Sequence, residues 1–193
     1  MVATLKIYVD FGGSDGSPGT NQDTSALGPP NIRLKTADDA TIDLINPIPI
    51  PTSGTNQSFW KSVYCLCSVA PDTQINNLKV YTDGAGFGTG ITTYVGDTFP
   101  TKNSGSSAGY KVATGTVGTD GDDMNPTYVT GKTDLFTFTS GSPMTGPSIS
   151  EAGSIINATN ETSNYFVLQA DVGTTASPGN KTDETITVQY DEI

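Results

Sequence analysis

Val63-Tyr64-Cys65-Leu66-Cys67-Ser68-Val69 is the stretch on which the fold turns. Side chains alternate between the two faces of a strand. Val63, Cys65, Cys67 and Val69 therefore share one face, and Tyr64, Leu66 and Ser68 the other. The two cysteines lie roughly 6.5 to 7 Å apart on that face, at or beyond the reach of a disulfide. A C-x-C metal or redox site needs further Cys or His ligands, and the chain has no other Cys and no His. The expectation is two small buried apolar side chains in a core strand.

Working outward, the same period of two recurs between Gly, Pro, Asn and Asp turns. Val2 to Asp10 places Leu5, Ile7 and Val9 on one face and Lys6, Tyr8 and Asp10 on the other. Further strands are expected over Ile32–Lys35, Phe59–Val69, Gln74–Tyr81, Ile91–Val95, Tyr110–Thr114, Leu135–Thr139, Tyr165–Val172 and Thr185–Tyr190. About nine or ten short strands with turn signals between them point to an all-β fold, a β-sandwich of jelly-roll type. Ser148–Ile156 has capping-box spacing at Ser148 and Glu151, but Gly153 limits it to a turn or two of helix. No internal repeat or composition break divides the chain, so residues 1–193 are expected to form a single β-sandwich domain.

Three connections stand out. Gly12 to Pro30, rich in Gly and Pro, reads as an exposed loop or arm. Asn46-Pro47-Ile48-Pro49-Ile50-Pro51 alternates Pro with Ile and favours an extended strap, since proline cannot donate to a central ladder. Pro100 to Ala108 reads as a second flexible loop.

Composition narrows the function. The 193 residues carry 20 acidic and 9 basic side chains, a formal net charge of -11, with 34% apolar and 15% charged residues, 22 Gly and 12 Pro. Absent histidine removes Ser-His-Asp and Cys-His pairs and every His-containing metal site. The cations are scattered lysines and the single Arg33, with no cluster able to neutralise phosphates, so no nucleic-acid partner is expected. No run of apolar residues approaches a membrane span, and Met1-Val2-Ala3-Thr4-Leu5-Lys6-Ile7-Tyr8 lacks the basic and apolar regions of a signal peptide. A Thr/Ser/Gly-rich β-protein without a signal fits a particle assembled in a host cytoplasm and released by lysis. The rival is a secreted chain whose signal has been replaced by Met1.

Candidate sites are few. Gly84-Ala85-Gly86-Phe87-Gly88-Thr89-Gly90 lacks the helix that a phosphate loop requires, and reads as a long hairpin loop with glycines at positive φ and Phe87 as tip or anchor. Asp120, Asp122 and Asp123, with Asn125 nearby, form the densest acidic cluster and are the Ca²⁺ candidate, although the spacing is not that of an EF-hand and a solvated turn is the plainer reading. Asp38-Asp39 and the Asp83-Gly84 turn are weaker. A glycosidase would need two carboxylates in one cleft, yet none of Glu151, Glu161, Glu184 and Glu192 sits in a suggestive motif; the chain is expected not to be an enzyme. Phe59, Trp60, Tyr64, Tyr94, Tyr110 and Tyr128 could include a sugar-stacking platform or could be core. Sequons at Asn56, Asn157, Asn160 and Asn180 matter only on a secreted chain.

Two stretches carry a resemblance. Asn164-Tyr165-Phe166-Val167-Leu168-Gln169-Ala170-Asp171-Val172 leads through Thr175-Ala176-Ser177-Pro178-Gly179 to Glu184-Thr185-Ile186-Thr187-Val188-Gln189-Tyr190-Asp191-Glu192-Ile193. Together with Ala70-Pro71-Asp72-Thr73-Gln74-Ile75-Asn76-Asn77-Leu78-Lys79-Val80-Tyr81, it resembles structural proteins of tailed bacteriophages. The resemblance implies a virion β-protein and carries no site residues. From the residues themselves, the last two strands read as a hairpin, with Phe166, Leu168 and Ala170 facing Ile186 and Val188 and the chain end tied into the sheet. The resulting expectation is a capsid decoration or cement protein, without cofactor apart from the Ca²⁺ candidate. It would bind the major capsid protein and its own copies through Pro18, Pro29 and Pro30 of the arm and Pro47, Pro49 and Pro51 of the strap. The alternatives are a tail or fibre component binding host-surface glycans, and a secreted carbohydrate-binding module.

Overall fold

The computed structural model describes residues 2–26, 32–39, 41–96, 109–129, 131–144 and 156–193. Among them the chain is all-β, with strands β1 (Thr4–Ser14), β2 (Ser17–Asp23), β3 (Thr55–Gln57), β4 (Lys61–Val69), β5 (Ile75–Tyr81) and β6 (Ile91–Gly96). There follow β7 (Gly115–Thr116), β8 (Asp120–Gly121), β9 (Lys132–Asp134), β10 (Phe166–Gly173) and β11 (Thr187–Glu192). A seven-stranded sheet runs β2-β1-β4-β10-β6-β9, with β3 also paired to β10. Two two-stranded sheets accompany it, β11-β5 and β7-β8, and all pairings between named strands are antiparallel.

The alternation read from the sequence sorts side chains into two cores, one on each face of the large sheet. Val63, Cys65 and Cys67 of β4 join Val9, Val95, Phe166 and Leu168 in a first cluster. Ile75, Leu78 and Val80 of β5 and Ile186 and Val188 at β11 also belong to it, so this core connects the large sheet to the small one. Tyr64 of β4, with Leu66 packed beside it, joins Val167, Tyr165, Trp60 and Tyr110 in a second cluster on the opposite face. The centre of the sheet is thus apolar on both sides, and β4 and β10 are buried along most of their length. Both thiols are free and buried, as expected of core side chains. Burial holds the Cys65 thiol up at about 12, far from the thiolate.

Several expectations are corrected. Residues 12–23 are no loose arm. Residues 12–14 continue β1, and β2 folds back on it around Asp15-Gly16. Gly13 makes that closure possible, because a Cβ there would lie 2.2 Å from the Ser17 carbonyl oxygen at a φ of +77°. As an edge strand with one free side, β2 tolerates its polar sequence and Pro18. Leu27–Asn31, which include Pro29 and Pro30, lie outside the described residues, as do Pro100–Ala108 and most of Ser148–Ile156.

The final two strands form no hairpin. Among the described residues β10 pairs with β3, β4 and β6, whereas β11 pairs only with β5. Phe166 and Leu168 share the first core with Ile186 and Val188, but from different sheets. The last residue is nonetheless tied down, its N–H donating to the Gln74 carbonyl at 2.9 Å and its carbonyl accepting from Thr73 and Gln74.

Ile32–Lys35 and Tyr110–Thr114 form no strand, and Leu135–Thr137 is a 3-10 turn capped by the Asp134 carboxylate. Residues 84–90 link the small sheet to the large one and so are not a hairpin loop; Gly84, Gly86, Gly88 and Gly90 all take positive φ.

Candidate functional site

At the end of the sheet where β1 and β4 leave their ladder, residues 35–39 and 41–46 are held by two buried lysines. Lys61 is 2% exposed, and its Nζ donates to the carbonyls of Ala37 and Asp39, both at 3.0 Å, and lies 3.5 Å from Asp38 Oδ1. Lys35, equally buried, pairs with Asp39 at 2.7 Å and Asp43 at 3.0 Å. Asp38 in turn accepts the Gly12 N–H at 2.7 Å, tying the loop to the β1-β2 hairpin. Burial lowers the Lys61 ammonium below its ordinary range and raises the Asp38 carboxyl, each against the attraction of the other. A buried ion pair of this kind fixes a conformation more than it adds stability. Here it ties residues 37–39 to β4. The Asp38-Asp39 pair, a weak ligand candidate by sequence, is therefore a clamp for that loop.

On the second face, Asp10 is buried beneath Tyr165 and Asn21. Tyr165 Oη and Asn21 Nδ2 both donate to its carboxylate, and Tyr110 packs beside Tyr165 while donating to the Gly12 carbonyl at 2.8 Å. Burial raises the Asp10 carboxyl from 3.8 to about 6. This is a polar knot inside an aromatic core.

A large opening lies on the first face, beside the segment that leads into β11. It is a cavity of about 820 Å³ floored by Phe166, Leu168 and Ala170 of β10 and by Ile91 and Thr93 of β6. One wall is residues 32–34 with the Pro47-Ile48 and Ile50 positions of the strap; the other is residues 176–186. Arg33 spans the two walls, donating to Asn180 Oδ1 at 3.1 Å. Phe87 also lines the cavity and sits edge-on against Phe136 at 5.7 Å, the anchor of the two alternatives given for it, though not within a hairpin loop.

Comparison with protein-family models, with curated proteins and with solved structures finds no match. The site must therefore be read from its own geometry. The strap is pinned by backbone acceptors, with Asn46 O and Pro47 O bonded by Thr36 and Pro49 O bonded by Asn56 Nδ2 at 2.9 Å. It joins no sheet, and Pro47 stands exposed at the cavity rim while Pro49 and Pro51 are half-buried. Pro18 sits far along the chain in β2, opposite Gly13.

The acidic cluster does not converge. The Asp120 carboxylate accepts the Gln57 N–H, Asp122 accepts the Thr114 hydroxyl at 2.6 Å, and Asp123 accepts the Asn125 N–H and pairs with Lys132, both at 3.0 Å. Each carboxylate faces a different element, and among the described residues no three Cys, Asp or Glu side chains gather as metal ligands. Trp60, Tyr64 and Tyr110 are 1%, 3% and 2% exposed, which removes them from any sugar-stacking platform. Sequence reasoning missed Thr93 and the Arg33–Asn180 bridge. Only the lone arginine in a lysine-poor chain was a signal for either.

Proposed function

We propose that this chain is a jelly-roll β-sandwich serving as a non-enzymatic virion structural protein, a capsid decoration or cement protein docking on the major capsid protein lattice. The observation that carries this reading is a group of large apolar side chains held out in solvent on a rigid support. Leu44 and Ile45 are 61% and 64% exposed at the loop clamped by Lys35 and Asp43, and they lead directly into the Pro47–Pro51 strap. Val117, 62% exposed, belongs to the same region, because the Gly118 N–H donates to the Thr36 carbonyl while the Thr36 N–H donates to the Asn46 carbonyl. Clustered exposed apolar residues mark an interaction surface. A clamp built on the buried ammonium groups of Lys35 and Lys61 beneath them lowers the ordering cost of docking.

Support also comes from the acidic, histidine-free composition and from the resemblance of residues 70–81 and 164–193 to tailed-phage structural proteins. Many copies burying apolar area at subunit junctions would add stability to a shell by mass action. The test is to sediment particles from a producing culture and quantify the chain by mass spectrometry. One copy per capsid subunit or symmetry axis supports cement, and a few copies per particle move the chain to the neck or tail. Absence from particles overturns the virion reading. Leu44→Asp with Ile45→Asp should abolish particle association without moving the melting temperature.

A further inference from the structure

The apolar group at Leu44, Ile45 and Val117 has a rim of one sign. Residues 36–46 and 112–123, which carry it, hold six Asp and no Lys or Arg. The cations that answer them from outside these segments are hidden. Lys35 and Lys61 are each 2% exposed, whereas the side chains of Asp39 and Asp43 are 41% and 33% exposed. On the Val117 side, Asp122 is exposed and Asp120 half-buried. The two parts are continuous, because a Cβ added at Gly118, next to Val117, would lie 3.4 Å from Asn46 Oδ1.

The carboxylates are oriented as well as exposed. Lys35 Nζ and the Thr41 N–H both reach Asp39 Oδ1, at 2.7 and 2.8 Å. Lys35 Nζ and the Ile45 N–H both reach Asp43 Oδ1, at 3.0 and 3.1 Å, which sets that carboxylate directly against the exposed Ile45. The second oxygen of each carboxylate has no partner among the described residues, and it remains an acceptor for a donor arriving from outside.

This arrangement selects the partner. A second copy of a chain with net charge -11 would bring the same acidic rim against its own, and like charges set face to face disfavour the contact. An anionic partner, nucleic acid included, meets the same repulsion. The complementary surface is apolar at its centre and cationic around it, so that Lys or Arg can form charge-assisted hydrogen bonds to the two carboxylates.

We propose that the Leu44, Ile45 and Val117 surface docks on a protein whose apolar recess is ringed by Lys or Arg, with those cations reaching Asp39 and Asp43. The proposal rests on the virion reading, in which that protein is the major capsid protein. Rim charges steer encounter, so their signature lies in the association rate and its dependence on salt.

The experiment strips the chain from particles of a producing culture and follows rebinding of the full chain at low and high salt. Rebinding should slow by about tenfold or more as salt rises. Thr41 is exposed and contacts Asp39 through its backbone N–H, so its side chain can be changed without breaking the clamp. At low salt Thr41→Lys should slow rebinding by about two- to fivefold, and Thr41→Glu should speed it. Gln189→Lys, at an exposed position of β11, makes the same change in net charge and should leave the rate nearly unaltered. Rebinding indifferent to salt and to both Thr41 variants overturns this inference and leaves the virion reading standing. Stripped particles that take up no chain overturn that reading and this inference with it. Self-association in sedimentation that Leu44→Asp with Ile45→Asp abolishes would give the surface to a second copy, and also overturns the inference.

Discussion

Replacing Asp10 by Asn tests the second core directly. Asp10 is 1% exposed, and burial lifts its carboxyl from 3.8 to about 6, against the opposing bonds from Tyr165 and Asn21. In the unfolded chain it titrates near 3.8. Between those values the folded state holds more proton than the unfolded state, so stability falls as pH rises. The gap corresponds to about 3 kcal/mol, at roughly 1.36 kcal/mol per pH unit. This stability is fully present below about pH 4, is lost progressively up to about pH 6, and is absent above. The amide introduced by Asp10→Asn would be neutral throughout. Its oxygen can accept from Asn21, and its NH₂ group can donate to Tyr165, so the knot stays satisfied. The variant and parent should therefore melt alike near pH 4, and the variant should be the more stable by about 3 kcal/mol at about pH 7.5. For a chain of this size that is roughly 6 to 12 °C. Other carboxylates, Asp38 among them, also shift, but they are common to both chains and cancel in the difference. Calorimetric melting of both proteins across this pH range is the assay. A difference that stays constant with pH would refute the reasoning, because it would show that the buried carboxyl titrates normally.

Three further outcomes are expected. Lys61→Ala leaves the Asp38 carboxylate without its counter-charge and two carbonyls without their donor, and should cost about 3 to 5 kcal/mol by urea unfolding. Lys61→Met combined with Asp38→Asn should recover most of that loss. Gly90→Ala sets a Cβ 2.4 Å from the Ala176 amide nitrogen at a φ of +77°, and should cost about 1 to 3 kcal/mol on the same measurement. Cys65 and Cys67 should resist Ellman's reagent in the native protein and both react in urea; labelling of Cys65 without unfolding would contradict its burial.

What was legible in the sequence follows the physics of the strand. Side-chain parity is a local property, so the face assignments of Leu5, Ile7 and Val9 against Tyr8, and of Cys65 and Cys67 against Tyr64, could be read directly and agree with the two cores. Which strand lies beside which is not local. Phe166–Ala170 and Ile186–Val188 are close in sequence, so a hairpin was the economical reading. Yet β10, apolar on both faces, belongs in the middle of the large sheet, while β11, with a burial pattern of half-buried and exposed residues, suits the small one. Strands buried on both faces read as continuous apolar runs, and Tyr165-Phe166-Val167-Leu168 already had that character. The β2 strand was hidden for the opposite reason. An edge strand need bury little, so Ser17–Asp23 has no apolar alternation to detect.

The candidate site was less legible because its parts come from segments that no spacing rule connects. A threonine is unremarkable in a strand and a chain so rich in it; only pairing of Thr93 with Ala170, under a wall that includes Ile48, turns it into an orphaned hydroxyl in an apolar space. The acidic cluster is the converse case. Three carboxylates within four residues made a Ca²⁺ candidate beside the plainer reading of a solvated turn, and in the structure each has its own donor in Gln57, Thr114, Asn125 or Lys132. Net acidity conceals the same effect at Lys35 and Lys61. In a chain with 20 acids and 9 bases, the scarce cations are free to be placed where they are most needed. Two of the nine are buried under one loop, which makes that loop, with Leu44 and Ile45 at its exposed end, the most deliberately held feature of the described surface.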